Sequence, residues 1–99
     1  MSIVTVAGVE VDTRHWIGGE RIASADTFED VSPLDGTVIA DVSRGGRAEV
    51  DAAVAAATAA FPAWARTSVD ERAAGLHRVA DGIEARIEDL AQDDTRDNG

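Results

Sequence analysis

Cysteine, lysine and tyrosine are all missing from this 99-residue sequence. Without Cys the stretch has no disulfide, no thiolate metal site and no cysteine nucleophile, and nothing points to an oxidising compartment. Positive charge is scarce: nine basic residues, every one an arginine, face 19 acidic ones for a formal net charge of −10. Such a surface lacks the basic face needed to displace counterions from phosphate, which excludes nucleic acid and anionic lipid as direct partners. No run of about 18 apolar residues is present, so no membrane span is expected. The opening MSIVTVAGVEVDTRH lacks the basic n-region of a signal peptide. A soluble, cytoplasmic domain is the expectation. Aromatic residues are few, two Phe and two Trp. A core must therefore lean on Ala, Val, Ile and Leu. The hydrophobic share of 44% is enough for one, and argues against a disordered chain. A length of 99 residues allows one domain at most. The all-arginine basic set fits a GC-rich coding genome; a salt-adapted acidic surface is the other reading.

The first part of the chain reads as short strands. Val4, Val6, Val9 and Val11 are interrupted by Ala7-Gly8, which suggests a hairpin within an N-terminal extension spanning 1–14. His15-Trp16-Ile17 and Glu20-Arg21-Ile22 flank Gly18-Gly19, a pair suited to a tight turn with positive φ. Thr27–Val31 alternates with a period of two, imperfectly, as in an edge strand. The turn Ser32-Pro33-Leu34-Asp35-Gly36 then leads to a return strand, Thr37–Val42. Hairpins are thus predicted across 15–42. After Gly45-Gly46 the period changes. Residues 47–61 are predicted to be helical, with Val50, Ala53, Val54, Ala57 and Phe61 on one face and Pro62 ending the helix. Ser68-Val69-Asp70-Glu71 is a capping box that opens a second predicted helix over 69–97. Its apolar positions, Val69, Ala73, Leu76, Ala80, Ile83, Ile87 and Leu90, form a narrow seam. Asn98-Gly99 is a helix stop signal.

No catalytic constellation emerges from these residues. An EF-hand reading of the Asp93/Asp94/Asp97 cluster fails, because Arg96 falls at a ligand position and no twelfth-position Glu follows. His15 and His77 stand alone. The glycine pairs 18–19 and 45–46 lack the context of a phosphate loop and read as turns. Ser32, Ser43 and Ser68 have no paired base. The two helices either cover a larger body of the same polypeptide or form a stand-alone helical hairpin that dimerises or binds a partner helix.

Four blocks in order carry a resemblance. HWIGGERIASADTFEDVSPLDGTVIADV, RAEVDAAVAAATAAFPAW, SVDERAAGLHRVADGIEARIEDLAQ and DTRDNG together run from His15 to Gly99. They resemble the N-terminal portion of the aldehyde dehydrogenase superfamily, whose patterns read "INGxW…TFxxxNPxTGxxIxxV", "xxDVDxAVxAAxxAFxxW", "xxxERAxxLxxxADxIExxxxxLA" and "ETxDNGKP". GRAEVDAAV and LHRVADGIEAR are similar to the 2-hydroxymuconic semialdehyde dehydrogenase branch. Ser32 replaces the usual Asn before Pro33, Leu34-Asp35 replaces a smaller pair, and Asp94 replaces the usual Glu.

The resemblance implies a partial α/β fold, with N-terminal β-hairpins followed by two helices as a fragment of a cofactor-binding domain over 15–99. It implies a parent enzyme in which a cysteine thiolate attacks an aldehyde, the thiohemiacetal passes hydride to NAD or NADP, and a Glu-activated water releases the carboxylate. The catalytic Cys, the Glu base, the oxyanion-hole Asn and the cofactor-ribose Lys and Glu of the family have no counterparts in these residues. The expectation is a catalytically inactive N-terminal piece covering about a fifth of a typical member, with a small-molecule aldehyde as the parent's substrate and a homo-oligomeric parent. The resemblance also implies a monovalent cation held by the Val31 carbonyl, together with Asp30, and by Asp97. Oxygen donors of this kind suit a hard cation.

Overall fold

The computed structural model describes residues 2–99. Two two-residue turns and one six-residue connection set up the first half. Ala7-Gly8, with φ of 49° and 82°, joins β1 (Ile3–Val6) to β2 (Val9–Asp12). Gly18-Gly19, with φ of 62° and 80°, joins β3 (His15–Ile17) to β4 (Glu20–Ile22). Two successive positive φ angles match the right-handed twist of the flanking strands, which is why glycine pairs occur in such loops. The third connection, 32–37, joins β5 (Thr27–Val31) to β6 (Val38–Ser43). There the Gly36 N–H donates to Ser32 O at 3.0 Å and the Ser32 N–H to Thr37 O at 2.8 Å. Asp35 Oδ1 accepts from both the Thr37 N–H (3.0 Å) and the Thr37 hydroxyl (2.7 Å). These bonds hold the Asp35 carboxyl below its ordinary range, with Arg96 adding a smaller attraction.

Each strand pair is its own antiparallel ladder: β1–β2, β3–β4 and β5–β6. Isolated two-stranded ladders are marginal in water, so the links between them matter. Thr13 supplies the main one. Its N–H donates to Ser2 O (2.8 Å) and its carbonyl accepts from the Ser43 N–H (3.1 Å), tying the first hairpin to the end of β6. Arg44 closes the base of the β5–β6 pair, with its N–H on Asp26 O, its guanidinium 3.0 Å from Asp26 Oδ2 and its head over the Phe28 ring.

The helices are α1 (Arg47–Ala65), α2 (Val69–Ala85) and α3 (Ile87–Asn98). α1 continues past Pro62, where the sequence predicts a stop at 61. The missing proline N–H costs one bond near the helix end, and the final turn closes tightly instead: Arg66 N–H donates to Ala63 O, Thr67 N–H to Trp64 O, and Thr67 Oγ1 to Ala63 O. The capping box at α2 forms as expected, with Ser68 Oγ accepting from the Glu71 N–H at 3.1 Å and Glu71 Oε2 from the Ser68 N–H at 3.4 Å. The single helix predicted over 69–97 is instead two, divided at Arg86 (φ −120°, ψ 22°). Neither Pro nor Gly marks that position, and the 3.6-residue periodicity of apolar side chains runs through it. The break lets α3 turn back toward the β5–β6 hairpin. Gly99 (φ 81°) caps α3, donating its N–H to Thr95 O.

Little of this is a closed core. Among the described residues only Val6 and Ala40 are buried apolar side chains. A compact protein of 10.3 kDa exposes about 5,400 Å², whereas this structure exposes 7381 Å². Its radius of gyration is 16.6 Å against about 12.6 Å for a compact chain of this length. α1 touches the β3–β4 hairpin through small side chains, with Gly18 close to Ala56. The larger residues of its predicted apolar face stay exposed, Val50 at 59% and Phe61 at 65%. α1 and α2 make no extended contact with each other, whereas α2 follows into α3. The helices enclose no interior of their own, and of the three only α3 returns to the β5–β6 hairpin to wall a cavity with it.

Candidate functional site

The most site-like place is the cavity where the first hairpin, the β5–β6 hairpin and α3 meet. It measures about 170 Å³; Val4, Val6, Val11 and Val42 form apolar walls, and Asp30, Asp93 and Asp97 supply the carboxyls. Local sequence explains each placement. Asp30 lies on the half-buried side of β5, beside a bulge: Asp30 pairs with Ala40 and Val31 with Val38, leaving Ile39 unpaired. A bulge bends its strand and re-aims the neighbouring side chains. Asp93 and Asp97 are four residues apart, one helical turn, and so share the face that α3 turns toward the sheet.

The electrostatics of the cavity are unbalanced. Burial first, then the Asp97 carboxyl beside it, push the Asp30 carboxyl above its ordinary range. Asp93 Oδ1 is shielded from solvent without a hydrogen-bond partner. Two neighbouring carboxyls and one unpartnered carboxyl oxygen concentrate acceptors there without a matching positive charge. The end of α3 lies close to the same hairpin: a Cβ added at Gly99 would come within 3.1 Å of Pro33 Cγ. Val31 immediately precedes that turn, and its side chain is 44% exposed.

Of the residues singled out from sequence, Asp30 and Asp97 are brought together. Val31 lies next to Asp30 on the same strand. Asp93, named from sequence only in the rejected EF-hand reading and not in the cation set, lines the same cavity; its spacing of four from Asp97 on a helical stretch is the signal that links the two. Among the described residues no group of three or more His, Cys, Asp or Glu side chains forms a ready metal cluster. A cation here would have to combine carboxylate with main-chain oxygen. Asp30 and Asp97 line the cavity with oxygen of the type a hard cation takes, whereas Val31 is not among the lining residues.

The N-terminus of α1 is not open to a phosphate. Gly45-Gly46 precedes the α1 N-terminus, where backbone N–H groups and the helix dipole favour an anion. That position is already taken: Glu49 Oε2 accepts from the Gly46 N–H at 2.9 Å, and this bond holds the Glu49 carboxyl below its ordinary range. His15 is likewise engaged, its Nε2 lying 2.6 Å from Ser24 Oγ. His77 is exposed on α2.

A model of the aldehyde dehydrogenase family matches residues 21–99. The chain belongs to the aldehyde dehydrogenase family. It is 52% identical over 91 residues to a 2-hydroxymuconic semialdehyde dehydrogenase of Pseudomonas sp. (strain CF600), an alignment covering 89% of this chain and 19% of that protein. It is 42% identical to the 5-carboxymethyl-2-hydroxymuconate semialdehyde dehydrogenase of Escherichia coli, covering 86% of this chain and 18% of that one. It is also 46% identical to acetaldehyde dehydrogenase 2 of Cupriavidus necator, covering 86% and 17%. The chain therefore spans about a fifth of the length of the curated relatives it matches. Both the aldehyde dehydrogenase family and its semialdehyde branch, read from the four sequence blocks, are supported by these matches. The partial α/β architecture agrees too, with hairpins first and helices after.

Proposed function

We propose that this chain is the N-terminal part, with residues 1–14 as an extension and 15–99 as family domain, of an NAD(P)-dependent dehydrogenase that oxidises a semialdehyde to a carboxylic acid. The observation that carries the reading is the 52% identity over 91 residues to a 2-hydroxymuconic semialdehyde dehydrogenase. NAD or NADP supplies the hydride acceptor in such a reaction, and the nucleophile is a cysteine, which these 99 residues do not contain. The role left to this chain is architectural. Its hairpins and helices brace the part of the enzyme that binds the dinucleotide. A homo-oligomeric, cytoplasmic enzyme without nucleic-acid or membrane partners is the fuller form of the proposal. The acidic surface supports the part of it that concerns nucleic acid and anionic lipid.

The family resemblance adds a second element to the reading, supported by the shared position of Asp30 and Asp97 in the cavity. A monovalent cation between the Asp97 carboxylate, the Asp30 carboxylate and the Val31 carbonyl oxygen would neutralise the like charges there and pin α3 to β5. Its function would be structural, holding the end of α3 in place.

The test uses two proteins. Residues 1–99 alone are expected to give no aldehyde-dependent NADH or NADPH. A longer reading frame that contains them is expected to reduce the dinucleotide with 2-hydroxymuconic semialdehyde as substrate. Turnover by residues 1–99, or a longer protein inert toward every semialdehyde offered, overturns the proposal.

A further inference from the structure

We draw no further inference here: the strongest candidate, the exposed apolar face that Leu76, Ile83, Ile87 and Leu90 form along α2 and α3, carries nothing because nothing in the structure shows what covers it.

Discussion

The carboxyl of Asp30 on β5 lies against the carboxyl of Asp97 on α3, so two negative groups mark the place where the last helix meets the sheet. A few residues away Gly99, at the end of α3, comes near Pro33, close enough that an added Cβ would crowd its ring. Contact at one point and like charge at the next make the seating of α3 sensitive to whatever neutralises the pair. A proton and a cation are the two candidates, and they are separable by experiment.

For the proton, the sign follows from the direction of the shift. Asp30 is raised in the folded state, so its contribution to stability is fully present below the ordinary Asp value of about 3.9 and is lost as pH rises through the raised folded value. Carbon-detected NMR of the Asp30 carboxyl is expected to show titration above the ordinary range, with helical shifts over 93–98 weakening as Asp30 ionises. Asp97→Asn is expected to return Asp30 toward its ordinary value. It also relieves the one-turn Asp93–Asp97 pair, a gain of about 0.2–0.5 kcal/mol at neutral pH. An Asp30 titration unchanged by Asp97→Asn would remove the neighbouring carboxyl as its cause.

For the cation, sodium or potassium chloride is compared with tetramethylammonium chloride at equal ionic strength. General screening affects every exposed charge alike, whereas a bound ion acts locally. Amide shifts confined to Asp30, Val31 and Asp97 with the small cations, and absent in Asp97→Asn, are the expected outcome. Equal responses to all three salts would mean that the oxygens collect no ion.

A second carboxyl carries the opposite shift. Asp12 accepts two side-chain bonds from Arg14, at 2.7 and 3.0 Å, and another from the Arg14 N–H at 3.0 Å, which lower it from 3.8 to about 2. Its stabilising effect is present above the ordinary carboxylate value and disappears as pH falls through about 2. Arg14→Gln removes the largest contribution but keeps the residue-14 N–H bond and Arg21, so Asp12 is expected to titrate above its parent value while staying below that of an unpaired Asp. NMR titration of the Asp12 carboxyl reads this directly; a value still near 2 in the variant would place the cause elsewhere.

Sequence revealed those parts of the fold that are written locally. The Gly18-Gly19 turn, the 32–36 turn and the Ser68/Glu71 box each depend on residues within five positions of one another, and each forms where expected. The break at Arg86 was hidden because it has no local signature: the apolar periodicity passes through it, and neither Pro nor Gly marks the position. Pro62 misled in the other direction. A proline near a helix end costs one bond that the closing turn largely replaces, so its local signal was stronger than its structural effect. The acidic site was half visible. Family resemblance pointed to Asp30, Val31 and Asp97, but Asp93 joins them only through the fold, and its orphaned oxygen has no counterpart in any sequence pattern.

The apolar seam on α2 was legible as a pattern, and its exposure decides how it should behave. Leu76 is 69% exposed and Ile83 50%, so folding of this chain takes little of either side chain out of water. Deleting a buried Leu or Ile usually costs about 2–5 kcal/mol, because transfer and cavity terms add. Neither term is large here, and surface substitutions commonly fall within about 0.5 kcal/mol. Leu76→Gln with Ile83→Gln in residues 1–99 is therefore expected to leave the helical circular dichroism nearly unchanged. Self-association should respond more strongly, since contiguous exposed apolar surface drives it. Sedimentation velocity at rising concentration is expected to show smaller species for the double variant than for the parent chain. If the double variant instead loses its helical signal, the two side chains support α2 within this chain and the seam is a core after all.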